Sequence, residues 1–185
     1  LWSGGMDSTY LLLRFLAVGS RVVPVYLAMN GNRCEGEMEL RGRIKAVIPP
    51  KLASNLAADL VLRPDDLQDI ALGLRMELQG RGIIVGSRRE NIGLQSIWQV
   101  AASKVLKATL YSGTCADDRL RHPEWIEANG ISLPLKDVSK RIIAEDAMRE
   151  GWLDILSMTV SCIMFTDRHC GGCVECVKRR NAGMI

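Results

Sequence analysis

The chain has 185 residues, room for one domain with at most a small appendage. Its 48% hydrophobic and 24% charged residues place it among folded globular proteins and exclude a disordered tail. Lysine and arginine (24) exceed aspartate and glutamate (21) by too little for the counterion-release affinity of nucleic-acid binders, so nucleic acid is not an expected partner. Apolar runs such as Val22 to Met29 fall far short of the ~20 residues that span a bilayer, and no charged-then-apolar leader opens the chain. Neither membrane insertion nor secretion is expected; a cytoplasmic location is.

The chain opens at Leu1-Trp2, directly before a glycine pair and without an initiator methionine, and we expect upstream residues that include most of a first strand. Thr9 to Val18 is a continuous run of helix formers closed by Gly19-Ser20, and Arg21 to Leu27 reads as a buried strand. Gly31 to Glu39, rich in glycine and charge, reads either as a loop or as a junction across residues missing from the sequence. Glu37 to Val47 is helical until Pro49-Pro50, Asp59 to Leu62 suits a short strand, and Asp65-Asp66 cap a helix from Leu67 to Gln79. Gly82 to Gly86 suits another buried strand, and Asn91 to Lys107 repeats apolar residues at helical spacing. Ala108 to Tyr111 is extended before Ser112-Gly113. Pro123 opens a short helix, Ile131 to Leu135 is short and apolar, and Asp137 caps a helix to Arg149. Strands alternating with helices predict parallel pairing with right-handed crossovers, hence an α/β fold with a doubly wound parallel sheet in a single domain, 1–185.

Ser3-Gly4-Gly5-Met6-Asp7-Ser8-Thr9 falls between the expected first strand and a helix, where outward-pointing N–H groups carry partial positive charge and suit an anion. Adjacent glycines let backbone approach a phosphate, Ser3, Ser8 and Thr9 add hydroxyls, and Asp7 could hold a Mg²⁺ bridging phosphate oxygens. No G-x-x-x-x-G-K-[ST] is present, which excludes a Walker-type loop. A bare glycine pair would equally mark a tight turn, with Ser8 as a helix cap. The whole string Ser-Gly-Gly-x-Asp-Ser resembles the signature of the PP-loop ATP pyrophosphatases, adenine nucleotide alpha hydrolase-like proteins that bind the pyrophosphate part of ATP and transfer AMP.

Six cysteines include four in the last 24 residues, spaced Cys162-x7-Cys170-x2-Cys173-x2-Cys176. Such spacing in a chain without a leader reads as metal ligation in a reducing compartment rather than as a disulfide framework. Four thiolates suit tetrahedral Zn²⁺ in a closed structural site, giving a zinc-binding segment at 161–180. Arg168, Lys178, Arg179 and Arg180 are expected to offset its charge. An iron–sulfur cluster is the rival, although the Cys-Pro tail of ferredoxin runs is missing, and His169 reads as a bystander. Cys34 and Cys115 read as unliganded thiols.

Together the two end motifs resemble the 7-cyano-7-deazaguanine (preQ0) synthase family of the queuosine pathway. Arg89-Glu90-Asn91, Ala108 to Asp118, Pro123-Glu124-Trp125-Ile126-Glu127-Ala128, and Pro134-Leu135 with Lys140 extend the likeness through the second half. Two departures stand out: Glu90 separates Arg89 from Asn91, and the loop after Ser112 lacks the family's longer Tyr-Pro-Asp-Cys stretch, where the deazaguanine would be read. The resemblance implies an ATP-dependent C–N ligase that releases AMP and pyrophosphate and turns 7-carboxy-7-deazaguanine and ammonia into the nitrile through an acyl-adenylate, or a divergent relative activating a similar carboxylate. It implies ATP, Mg²⁺ and Zn²⁺ as cofactors, Asp7 and Lys140 in catalysis, Arg89 and Asn91 at the substrate, and a homodimer. Alternatives are a PP-loop adenylating enzyme acting on tRNA or a protein terminus, and a non-catalytic zinc-stabilised nucleotide-binding subunit. Taken alone, Lys140, Arg89 and Asn91 could equally be surface or helix-entry residues, and Asp117 and Asp118 loop and capping residues.

Overall fold

The structure, a computed structural model, describes residues 1–29, 31–83, 85, 93–118 and 120–184. Helix α1 (Met6–Ala17) follows the glycine pair and leads to strand β1 (Val25–Leu27). Helices α2 (Gly31–Val47) and α3 (Pro50–Ala53) precede β2 (Leu60–Leu62), and α4 (Pro64–Gly80) is followed by α5 (Leu94–Leu106). Strand β3 (Leu110–Tyr111), a 3₁₀ turn at Ala116–Asp118, α6 (Pro123–Ala128) and β4 (Ile131–Ser132) come next. The chain closes with α7 (Lys140–Arg149), α8 (Leu153–Ser157) and α9 (Val174–Asn181).

The expected alternation and parallel pairing are present: β1 pairs with β2 in the register Val25↔Leu60, and β3 with β4 in the register Leu110↔Ile131. One doubly wound sheet is not what the described strands form; they make two separate two-stranded sheets. With two or three residues per strand, each pair closes few ladder bonds. Leu1 and Trp2 lie between the sheets, the Leu1 amino group donating to Tyr111 O and the Trp2 N–H to Val25 O at 2.8 Å.

Local signals account for most helix starts. Pro64 supplies a preset φ at the first position of α4, and the Asp66 carboxylate accepts from the Arg63 N–H at 2.7 Å, so the helix begins before Leu67. In α7 the cap is Ser139, whose Oγ accepts from the Ile142 N–H at 3.3 Å, and Asp137 stands outside the helix. The segment 31–39, read as loop or junction, is the first half of α2. It has no buried apolar stripe, because the inward face of α2 begins only at Leu40, Ile44 and Ile48. Beyond the i,i+4 pair of Arg33 Nε with Glu37 at 3.3 Å, its helical state rests on contacts from other segments: Arg33 donates to Cys162 O at 3.0 Å and to Ile163 O, and Glu37 accepts from Tyr26 Oη at 2.7 Å. The expected strand at Gly82 to Gly86 includes residues outside the described ones.

The described residues form two apolar cores. One joins α1 (Leu13, Leu16), α2 (Leu40, Ile44), α7 (Ile143, Ala147) and α8 (Leu156); the other packs α4 (Leu67, Leu74, Leu78) on α5 (Ile97, Val100, Ala101) beside Leu62, Leu110 and Ile131. Truncating any of these leucines to alanine costs about 2–5 kcal/mol. The first core carries the functional site. Within it α1 and α7 run in the same direction, since Asp7 meets Lys140 while Tyr10 and Arg14, further along α1, both reach Asp146. Two helix N-termini therefore open at one place. No helix among the described residues is long and apolar enough to cross a membrane.

Candidate functional site

The loop enters α1 through Gly4, whose φ of +82° is the left-handed region that glycine tolerates without strain. Gly5 is the N-cap and offers no side chain to the first-turn amides. The amides at this turn make long contacts: the Gly5 N–H to Ser3 Oγ at 3.4 Å and the Met6 N–H to Ser161 Oγ at 3.3 Å. Ser8 Oγ is 3.3 Å from Ser3 Oγ and donates to Gly5 O at 3.2 Å. A helix N-terminus ringed by hydroxyls at the far limit of hydrogen bonding can exchange them for an anion's oxygens at small loss. Opposite, the turn after β3 presses on the loop so closely that a Cβ at Gly113 would stand 2.6 Å from Ser8 N and Cα. Not every residue of the motif faces this space. Met6 is wholly buried, and Thr9 is too, its Oγ1 accepting from Trp2 Nε1 at 2.9 Å.

Asp7 and Lys140 meet directly. Lys140, considered above as a surface lysine, is 2% exposed, and its Nζ bonds Asp7 Oδ2 and lies 3.8 Å from both Asp118 Oδ1 and Glu175 Oε2. An ammonium in the first turn of a helix opposes the macrodipole, so three carboxylates around it make electrostatic sense. Burial disfavours its charge, but Asp7 and Asp118 outweigh that and carry its pKa above the usual lysine value. Asp7 shows the converse balance. Burial raises its pKa, and the Lys140 charge only partly offsets the rise. Asp118, which burial alone would raise, is held below the usual carboxylate range by Lys140, the Cys115 N–H and Lys178. Asp117 caps α7, accepting from the Lys140 N–H at 2.6 Å. Asp7 Oδ1 is buried without a hydrogen-bond partner among the described residues, and Asp7, Cys115 and Asp118 each place a ligand atom within 4.8 Å of the others. A divalent cation fits such an orphaned, partly neutralised oxygen. The Cys115 thiol is no ready thiolate, since burial and then the Asp7 charge push it up to about 12.

The four cysteines do converge. No disulfide links them; Cys170 Sγ lies 3.9 Å from Cys176 Sγ, Cys173 Sγ lies 4.0 Å from Cys162 Sγ, and all four sulfurs are within 4.8 Å of one another. A tetrahedron with bonds of ~2.3 Å has edges of about 3.8 Å, so the cluster can hold zinc with little adjustment. Backbone N–H groups of Ile163 and Cys176 bring the Cys173 thiol down to about 6. Cys162, despite burial, is lowered by the N–H groups of Cys170, Phe165 and Met164, and burial pushes Cys176 up to about 11. His169 Nδ1 is 3.7 Å from Cys176 Sγ, outside the set of four, with its pKa lowered by burial and Arg179. Of the four cations expected to offset this centre, Arg180 reaches its backbone at Gly171 O. Arg168 lies over the Phe165 ring, Lys178 serves Asp118 and Glu175, and Arg179 donates to Thr159 Oγ1 and Leu156 O.

Arg89 and Asn91 lie outside the described residues. The sequence alone did not announce three roles: Glu175 beside Lys140, Lys178 on Asp118 rather than at the cysteines, and Ser161 at the Met6 N–H. Ser161 adjoins the first cysteine ligand, and the other two flank the last, which is the local signal available for them.

Fold and site thus define a mixed α/β protein with parallel strands, a glycine turn at a helix start and a four-cysteine centre able to hold metal. The chain is similar to 7-cyano-7-deazaguanine synthase 1 of Desulfitobacterium hafniense (strain Y51), 27% identical over 214 aligned residues that cover 98% of this chain and 89% of that protein. The resemblance seen in the end motifs therefore extends along nearly the whole chain. No family model and no solved structure matches it.

Proposed function

We propose that this chain is an ATP-dependent ligase that converts 7-carboxy-7-deazaguanine and ammonia into 7-cyano-7-deazaguanine, or acts on a closely similar carboxylate. The observation that carries the reading is the juxtaposition of the weakly served loop amides with the buried Asp7–Lys140 pair, in a chain aligned end to end with a synthase.

A carboxylate lacks a leaving group, and adenylation supplies one. The substrate oxygen attacks the α-phosphorus of ATP and pyrophosphate departs. Ammonia then adds to the acyl carbon, AMP leaves, and the lost proton passes to solvent or base. A further ATP activates the amide oxygen in the same way, and departure of that AMP with the remaining N–H protons gives the nitrile. Such transfers need positioning and charge neutralisation more than a protein nucleophile. In this reading the Gly5 and Met6 N–H groups, with Ser3 and Ser8, hold the leaving pyrophosphate. Lys140 sits where it can follow negative charge developing beside Asp7. Asp7 would hold Mg²⁺, which supplies charge neutralisation at the phosphates. Cys162, Cys170, Cys173 and Cys176 would hold Zn²⁺ as a closed centre that orders the segment 161–180.

The test is mass spectrometry of products from the chain incubated with ATP, Mg²⁺, ammonium and 7-carboxy-7-deazaguanine, beside elemental analysis for zinc and iron. AMP, pyrophosphate and the nitrile are expected, with Asp7→Ala lowering all three by about 10²–10³ at unchanged zinc content. Finding neither AMP nor pyrophosphate would remove the proposal.

A further inference from the structure

Helix α9 belongs to two constructions at once. Its N-cap Cys173 and first-turn Cys176 are members of the four-thiol centre. From the neighbouring face of the same helix, Lys178 Nζ donates to Glu175 Oε1 at 2.6 Å and to Asp118 Oδ1 at 3.0 Å, while Glu175 Oε2 stands 3.8 Å from Lys140 Nζ. Wholly buried Arg179 ties α9 to the end of α8, through Thr159 Oγ1 at 2.6 Å and Leu156 O at 3.1 Å. At the other exit from the centre, Ser161 precedes Cys162 and accepts from the Met6 N–H. Both segments that leave the cysteines therefore end on the loop or on the ion pair beside it.

The charges make this connection consequential. Asp7, Asp118 and Glu175 face Lys140 and Lys178, three carboxylates against two ammonium groups. Take Lys178 away, and Asp118 and Glu175 turn to Lys140 alone, competing with Asp7 for it. Cysteines at 173 and 176 and charges at 175 and 178 are each spaced three apart, so turning or fraying α9 moves both sets together.

We propose that Glu175 and Lys178 are positioning residues through which the four-cysteine centre sets the stance of Lys140, Asp7 and the loop, coupling metal occupancy to the anion-binding turn. This rests on the function proposed above only in taking the turn as the phosphate site. The experiment is hydrogen exchange, read by mass spectrometry without nucleotide, on the full zinc-loaded chain, so a failure of the ligase assay leaves its result standing. Lys178→Met is expected to keep stoichiometric zinc yet exchange the first hydrogen-bonded amides of α1, residues 9–11, about tenfold faster, Thr9 N–H bonding the loop carbonyl of Gly5 at 3.0 Å, and chelating zinc from the unmodified chain should do the same. Lys178→Arg, which preserves the charge, and Val177→Ala, half-exposed on the same helix, should both stay within about twofold of the parent. Unchanged exchange at the start of α1 in Lys178→Met or after chelation would overturn the proposal. So would failure of Lys178→Arg to restore protection, or loss of protection across α4 and α5 as well, which would make the metal a support of the whole fold.

Discussion

The four-cysteine centre and the ion cluster around Lys140 are neighbours sharing one helix, yet they are assembled in opposite ways. The centre draws all four cysteines from residues 162–176, whereas the cluster gathers Asp7, Asp118, Lys140, Glu175 and Lys178 from α1, the 3₁₀ turn, α7 and α9. A centre of the first kind needs a short segment and its metal. One of the second kind exists only when the first core has brought its helices together. The difference predicts where damage should spread.

Cys176→Ser attacks the local construction at its most buried ligand. Loss of tight zinc binding is expected, with a fall of several kcal/mol in stability, roughly 10 °C in Tm, checked by calorimetry and metal analysis. Lys140→Met strikes the dispersed one. It leaves buried Asp7 without a cation and Asp118 and Glu175 with Lys178 alone, so about 3–5 kcal/mol should be lost in denaturant unfolding while zinc content is retained; zinc loss there would show that the two constructions are not separable. The pH dependence is a second signature. Because its neighbours raise Lys140 above the ordinary 10.5, the ammonium outlasts its unfolded counterpart, and its contribution is complete below pH 10.5 and declines as pH rises through the folded value. The stability gap between parent and Lys140→Met should then be flat from about pH 7 to 10 and narrow above that. On the acid side the two aspartates act oppositely. Lowered Asp118 contributes stability above 3.8 that is lost as pH falls through its folded value, while raised Asp7 costs stability as it ionises above 3.8.

Smaller changes sharpen the comparison within the loop's surroundings. Gly113→Ala forces a methyl against Ser8 backbone, so the start of α1 must shift, at about 1–3 kcal/mol and with weaker nucleotide binding by calorimetry. Ser139→Ala removes only the cap of α7 and should cost about 1 kcal/mol in thermal unfolding, leaving zinc content unchanged.

The same contrast explains which parts could be read in one dimension. The four cysteines, the helices at Thr9 to Val18 and Leu67 to Gln79, and the glycine turn all carry their signal within a few residues of themselves. The N-terminal half of α2 does not: its support comes from Cys162 O, Ile163 O and Tyr26 Oη, and nothing near Arg33 or Glu37 announces that. Thr9 looks like any other hydroxyl of the motif until the Trp2 indole is seen to occupy it. Lys140 looks like a first-turn surface lysine until α1 and α9 cover it. Spacing along the chain was enough for the convergence of four cysteines that could hold a metal and for the alternation of strands with parallel partners, because each depends on covalent neighbours and backbone geometry. The burial of Lys140 among three carboxylates, the orphaned oxygen of Asp7 and the double duty of α9 arise from packing between segments distant in the chain, Asp7 and Lys140 being 133 residues apart. Charge in a folded protein is governed by such distances through space, and these come into being only when the cores close.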